Sequence, residues 1–367
     1  MFRTTMSRPV FDDTGLALLG QRWRGLAAQS GASYFQDWGW VGCMAATRYS
    51  DPILVEVHRN EKLVALALFS RRARRRQGGS LHLQESTDPL LASIFIEHNG
   101  PLIAIADPVL RQSVLVHLLT YAMREPLGSR PAQARRLVLS GVSSECADAV
   151  LMTGGLVEEK SRRAAPYADL SRLDPEQPFL DSLSRNTRYQ IRRSNRLYAA
   201  QGELAIRRAE TVEEGRQFLE RLIELHNTTW RARGKKGAFA TASVRSFYHE
   251  LLQSGIPADE VDMLRISAAD TEIGYLMNFR HRGVVSAYQS GFDYAGARPQ
   301  QKPGLTSHYL AIEAYRSRGV TTYDFLAGTD RYKLSLANSQ RWLHWLSTAP
   351  AWHPSTIGTR LRRLLRL

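Results

Sequence analysis

The sequence predicts an α/β fold whose sheet is mixed and largely antiparallel, and three observations predict it. Short alternating apolar runs pair around tight turns, a helix-spaced apolar segment follows them, and a β-rich run follows each helix. In the C-terminal half, Val261 to Ile266 and Ile273 to Arg280 read as two strands, and His281-Arg282-Gly283 turns the chain into a third from Val284 to Gly291. Lys302-Pro303-Gly304 then reverses the chain. Thr306 and Ser307 are capping-type residues and Leu305, Tyr309 and Ile312 have helical spacing, so a helix should begin here and stop at Gly319. Thr322-Tyr323-Asp324-Phe325 is the strand after it. No GxGxxG follows a strand and no GxxxxGK[ST] occurs, which removes the usual signals of dinucleotide and P-loop chemistry.

The N-terminal half repeats the order. Ile53 to His58 and Leu63 to Phe69 alternate around Arg59-Asn60-Glu61-Lys62 as a hairpin, Pro108 to Met123 has helical spacing, and Leu137-Val138-Leu139 is the strand after it. A chain of 367 residues suits two domains. The join is expected near Pro166, giving residues 1–168 as a first copy and 169–367 as a second, with Pro178 opening a long helix from Phe179. Before the first copy's helix stands Asp107, where the second copy has Lys302-Pro303-Gly304. A carboxylate there occupies the helix dipole and repels phosphate. The first copy is therefore expected to be a scaffold or acceptor platform, with the donor bound only by the second.

There are 49 Lys and Arg against 35 Asp and Glu, a net charge of +14, and such an excess favours an anionic partner: coenzyme A, an acidic acyl carrier protein, tRNA or a membrane surface. Cys43 and Cys146 lack metal or disulfide spacing and read as small buried hydrophobes; no metal is expected. No signal core or membrane span is visible, so a cytoplasmic location is expected. The tail from Ile357 to Leu367 is a short basic amphipathic helix that offers a membrane contact, although a docked terminal helix is the commoner outcome. Arg185, Arg188, Arg192 and Arg196 recur on one helix face, either a solvated stripe or a lining for donor phosphates, a carrier protein or tRNA. The cluster of Arg71, Arg72, Arg74, Arg75 and Arg76 lacks the aromatics that stack bases, so direct nucleic-acid binding is not expected.

The helix start from Gln301 through Lys302, Pro303, Gly304, Leu305, Thr306 and Ser307 carries the chemistry. Exposed amides and the positive end of a helix dipole accept a pyrophosphate without a lysine-rich pocket. Tyr288, on the strand before it, reads as a proton donor to a leaving thiolate, as an acceptor contact, or as a half-buried strand tyrosine. Asp324 lies mid-strand, where a carboxylate is a general base or one half of an ion pair with Lys333 or Arg331. His226 and Trp230 share a helix face, and His226 is a base or a core histidine. Lys235 and Lys236 read as contacts to phosphate or acceptor. No GxSxG elbow supports a serine nucleophile.

These pieces together resemble a known family. The run Ser184-Arg185-Asn186-Thr187-Arg188-Tyr189-Gln190-Ile191-Arg192-Arg193, then His226 and Trp230 ahead of Gly234 and Gly237-Ala238-Phe239, then Tyr288 with Gly291-Phe292-Asp293, Pro303-Gly304, and Tyr323-Asp324-Phe325 with Gly328 and Tyr332-Lys333 carry the likeness. In order and spacing they are similar to the GNAT-related acyltransferases of the cellulose-biosynthesis (CelD/BcsL-like) type, relatives of the Fem aminoacyltransferases. The resemblance implies two GNAT folds in tandem and an N-acyltransferase that moves an acyl group from acyl-CoA or an acyl carrier protein to an amine on a small molecule or peptide. It also implies amides near Ser290 and Gly291 that polarise the acyl carbonyl, and a supporting role for Lys333. An aminoacyl-tRNA-dependent transferase of the Fem type and a noncatalytic basic-surface binding protein are the alternatives.

Overall fold

The computed structural model describes residues 2–73, 79–125, 135–174 and 176–350. Arg74, Arg75 and Arg76 of the basic cluster, and the C-terminal basic tail, lie outside them. The described chain divides into two compact units, residues 2–163 with 342–350, and residues 164–341. The boundary thus falls before the expected 168/169, and the last strand returns to the first unit.

The first unit contains β1 (Phe2–Ser7), α1 (Asp13–Ala27), α2 (Trp38–Arg48), β2 (Pro52–Arg59), β3 (Lys62–Arg72), β4 (Ser80–Leu83), β5 (Leu102–Ile103), α3 (Pro108–Arg124), β6 (Arg136–Ser143), α4 (Ser144–Met152) and the start of β7 (Leu156–Asp169). The expected hairpin is β2–β3, closed by Asn60 and Glu61 at φ of 50° and 61°, the left-handed pair a two-residue hairpin turn requires. Neighbouring pairs β1–β2, β2–β3 and β3–β4 are antiparallel, and β4 pairs β6 in parallel. Val55, Phe69, Leu118 and Leu139 are among the side chains that close its core. Cys146 is buried there, whereas Cys43 is only half-buried, contrary to expectation.

The second unit holds the end of β7, then α5 (Arg185–Ala199), β8 (Leu204–Arg208), α6 (Val212–Ala232), α7 (Ala242–Gly255), β9 (Val261–Ala268), β10 (Thr271–His281), β11 (Val284–Phe292), α8 (Pro303–Arg316), β12 (Thr322–Asp324), α9 (Arg331–Leu336) and the first residues of β13 (Ser339–Ala349). Its strands run β7-β12-β11-β10-β9-β8. All neighbours are antiparallel except β11 and β12, which are parallel. The same meander, helix and parallel strand therefore occur in each unit. The helix expected from Phe179 begins instead at Arg185: Phe179–Ser182 is a separate 3-10 turn, Leu183 is extended, and the Ser184 side chain caps α5 by accepting from Thr187 N. β13 pairs β6 from Leu343 onward, which returns the chain to the first unit.

In the first unit β4 and β6 pair only from Ser80–His82 to Arg136–Val138, then part. The gap is bridged by Asn99, whose Nδ2 donates to Leu83 O at 3.0 Å and whose N donates to Gly141 O at 3.0 Å. Gly141 has a φ of 63°, and a Cβ there would lie 2.3 Å from Ile96 O, so this closure requires glycine. Asp107 caps α3 by accepting from Leu110 N at 2.7 Å.

Candidate active site

In the second unit β11 and β12 pair from Val284–Ser286 to Thr322–Asp324 and then separate. Beyond that point β11 keeps only β10 as a strand partner among the described residues, and its register slips. Met277 faces Gln289 while Asn278 faces Ala287, so Tyr288 is an extra residue, a β-bulge. A bulge bends a strand and re-aims its side chains, and bulges gather beside active sites. Tyr288 lies half-buried with its ring 4.7 Å from Phe279 and its Oη 3.2 Å from Tyr248 Oη.

α8 starts past the end of β11, as expected, but its first turn is covered. Lys302 occupies the N-cap without a side-chain cap bond, and its N donates to Ser194 Oγ of α5 at 2.9 Å. Thr306 and Ser307 do not cap the helix. Thr306 is fully buried, with Oγ1 2.9 Å from Asn195 Oδ1 and 2.8 Å from Ser194 Oγ, and Ser307 is buried against the core. They stand one turn inside the helix, where side chains meet its packing partners instead of its mouth. Gln301 is tied by its side chain to Arg298 N and Leu197 O. Pro303, Gly304 and Leu305 are also buried, contrary to the expected exposure of this helix start. What remains for an anion is the backbone: Gly304 N and Leu305 N have no hydrogen-bond partner among the described residues.

His226 is not a free base. Its Nδ1 lies 3.1 Å from Ser290 O, and its Nε2 accepts from Ala238 N at 3.1 Å, so the neutral ring pins α6 to β11 and to the following loop. Burial lowers its pKa. Gly291 belongs to the same contact: a Cβ there would lie 2.3 Å from Leu222 O, so glycine lets α6 approach β11. Trp230 is half-buried, 5.8 Å from the His226 ring, and Lys235 Nζ sits 5.8 Å over it. Lys236 is exposed.

Asp324 is buried. Its Oδ1 accepts from Leu326 N at 2.7 Å and its Oδ2 lies 3.3 Å from Arg341, a partner the sequence did not suggest. Lys333 is buried on α9 and donates from Nζ to Ala327 O at 2.9 Å. Near Lys333 stand two residues to which sequence reasoning gave no role. His308 of α8 stacks on Tyr332 of α9, with centroids 4.8 Å apart at 11°, and meets Phe292, Tyr323 and Phe325 edge-on. Burial, then the Lys333 ammonium, pushes the imidazole down to about 3. Burial raises the Tyr332 phenol far above its usual range, which keeps it a proton donor at neutral pH. On α5, Arg185, Arg188, Tyr189, Arg192, Arg193 and Arg196 enclose a groove of about 450 Å³. Asp181 offsets part of its charge: its O accepts from Arg188, and its carboxylate lies 3.6 Å from Arg192.

Residues 185–334 match the family described as Acetyltransferase (GNAT) domain. The second unit carries a GNAT-type acetyltransferase domain. This GNAT match supports an acyltransferase enzyme. Among solved structures the chain is similar to FemX, at 10% identity over 90% of this chain and 95% of that one, with a TM-score of 0.56. It is similar to the C-terminal domain of a putative lysylphosphatidylglycerol synthetase from Agrobacterium fabrum, at 9% identity over 93% and 95% with a TM-score of 0.52. L-PGS from Bacillus licheniformis gives 12% identity over 93% and 92% with a TM-score of 0.51. At these identities the likeness is one of fold, and it extends beyond the GNAT segment to nearly the whole chain. No curated protein matches the chain. Among the described residues no helix is long and apolar enough to cross a membrane.

Proposed function

We propose that the protein is an N-acyltransferase in which an acceptor amine, on a small molecule or peptide, attacks an acyl thioester of coenzyme A or a carrier protein at the GNAT site of the second unit. The observation that carries this is the parting of β11 from β12 at the Tyr288 bulge, beside a helix start whose Gly304 and Leu305 amides are unpartnered. Those amides and the dipole behind them suit a donor phosphate, while Thr306 bonds Ser194 and Asn195 and Ser307 is buried. The amine adds to the carbonyl, the tetrahedral oxyanion forms near Lys333, the C–S bond breaks as a phenol, Tyr332 or Tyr288, supplies a proton to the thiolate, and the proton that the nitrogen loses restores that phenol. Asp324, bound to Leu326 N and paired with Arg341, holds the turn that carries Lys333. The first unit, its parted strands bridged by Asn99 and its helix capped by Asp107, serves as scaffold or acceptor platform. A cytoplasmic location goes with such donors, and a CelD/BcsL-like assignment goes with the matching residues.

Calorimetric titration of acetyl-CoA into the full chain tests the donor site. Gly304→Asp places a carboxylate at the unpartnered amides and should abolish binding. Gly304→Ala, whose Cβ meets Phe292 at 3.2 Å and Tyr294 Oη at 3.4 Å, controls for steric fit and should retain most of it. Equal affinity for Gly304→Asp and the parent would place the donor elsewhere.

A second reading, aminoacyl-tRNA as donor, is favoured by one observation. The α5 groove joins five arginines to Tyr189, which is 59% exposed, and α5 covers part of the α8 start. Transfer from charged tRNA with thioesters inert would establish it.

A further inference from the structure

A buried polar chain runs through the second unit and ends on an imidazole nitrogen with nothing to bind. Asp262 is fully buried, which raises its pKa, while Arg208 at 2.5 Å and Arg280 at 3.9 Å act against that rise. Tyr315 Oη donates to Asp262 Oδ2 at 2.7 Å, so the single tyrosine proton is used there. Asn278 Nδ2 donates to Tyr315 Oη at 3.2 Å, and Asn278 lowers the pKa of the Tyr323 phenol, the effect of a donor directed at it. Tyr323 Oη thus accepts from Asn278, and its own proton has one described recipient, His308 Nδ1 at 2.9 Å. An acceptor at one end therefore orients every proton along the chain. With Tyr323 donating, His308 Nδ1 is the bare nitrogen and Nε2 the protonated one.

His308 is 2% exposed, and its Nε2 has no hydrogen-bond partner among the described residues. A buried N–H left unpaired is costly, and a ligand atom beside it would remove that cost. Its surroundings say where. Phe292 is the last residue of β11, Phe325 is the first after β12, and Tyr332 and Lys333 close the far side. The ring therefore packs beside the ends of the two strands, next to the point where their pairing stops.

We propose that His308 is a donor-binding residue, a neutral imidazole whose Nε2–H, fixed by the Asp262–Tyr315–Asn278–Tyr323 chain, hydrogen-bonds a carbonyl oxygen of the acyl donor. This rests on the donor lying between β11 and β12. A neutral ring suits the role, because a fixed dipole stabilises oxyanion charge with little reorganisation and without releasing a proton that the amine would capture. Asn278, opposite the bulge, links this chain to the strand irregularity beside it.

Long-range ¹H–¹⁵N correlation spectra of the full chain labelled at histidine, assigned with His308→Gln, test the assignment with and without acetyl-CoA, whose binding is followed in parallel by calorimetry. Nε2 of His308 should carry the proton and Nδ1 none, and saturation with acetyl-CoA should shift the Nε2 resonance. Tyr323→Phe, which keeps the ring and removes the proton directed at Nδ1, should release the tautomer preference and weaken acetyl-CoA binding about tenfold, a loss of roughly 1.4 kcal/mol. A proton on Nδ1 in the parent, an unchanged tautomer in Tyr323→Phe, or a His308 resonance unmoved at calorimetric saturation overturns the proposal while leaving the donor site in place. Absence of acetyl-CoA binding by the parent overturns the thioester-CoA reading itself, and this proposal with it.

Discussion

The Lys333 ammonium is anchored: Nζ donates to Ala327 O, and the His308 ring that it acts on is uncharged at neutral pH. A cation so placed acts on charge that develops in the reaction more than on a neutral ground-state carbonyl. Lys333→Met should therefore lower kcat by about 10²-fold, the scale of losing one oxyanion partner, and change the acetyl-CoA dissociation constant little. Steady-state kinetics with parallel calorimetry separates the two, and an affinity loss equal to the rate loss would make Lys333 a ground-state contact. His308 shows why some residues of the site were not legible. Within Thr306-Ser307-His308-Tyr309 it is one polar residue in a helix start, and its meaning comes from Tyr323 and Tyr332, which reach it only when α8, β12 and α9 pack. Thr306 and Ser307 misled for the related reason that residue type was legible and facing was not.

At the scale of elements, local chemistry was legible and pairing was not. Pro303 at the first position of α8 and Gly319 at φ 77° just past its end mark that helix in sequence as they do in space. The β10–β11 turn was equally visible, because Arg282 and Gly283 both take positive φ. The Tyr288 bulge left no trace in the Val284–Phe292 run, since an extra residue exists only relative to the strand opposite. Nor did Gly291 show its purpose until α6 was seen against it. Gly291→Ala should force α6 away from β11, with a cost of about 1–3 kcal/mol. Chemical denaturation would read this as a lower midpoint, accompanied by weaker donor binding because Ser290 and its His226 pin move together. An unchanged midpoint would mean that α6 yields without strain.

Across the whole molecule, two copies of one architecture carry different titrating groups. In the first unit, burial pushes Glu85 up to about 7, against the pull of the Ser140 hydroxyl and the Lys160 ammonium. A carboxyl raised in the folded state contributes stability that is complete below its unfolded pKa near 4.5 and is lost as pH rises through about 7. Glu85→Gln should therefore leave stability near that of the parent at pH 4.5 and exceed it at pH 8, by at most about 3 kcal/mol. Thermal melts of both chains across that interval check the sign, and a constant difference would remove Glu85 as the source.

The bridge made by Asn99 has a kinetic and evolutionary side. A segment joined to the same chain competes at an effective concentration that no free metabolite approaches, commonly millimolar or higher for a short tether. The space between β4 and β6 is in that sense already saturated by a built-in occupant. Single substitutions that merely weaken its two hydrogen bonds would leave the tether in place.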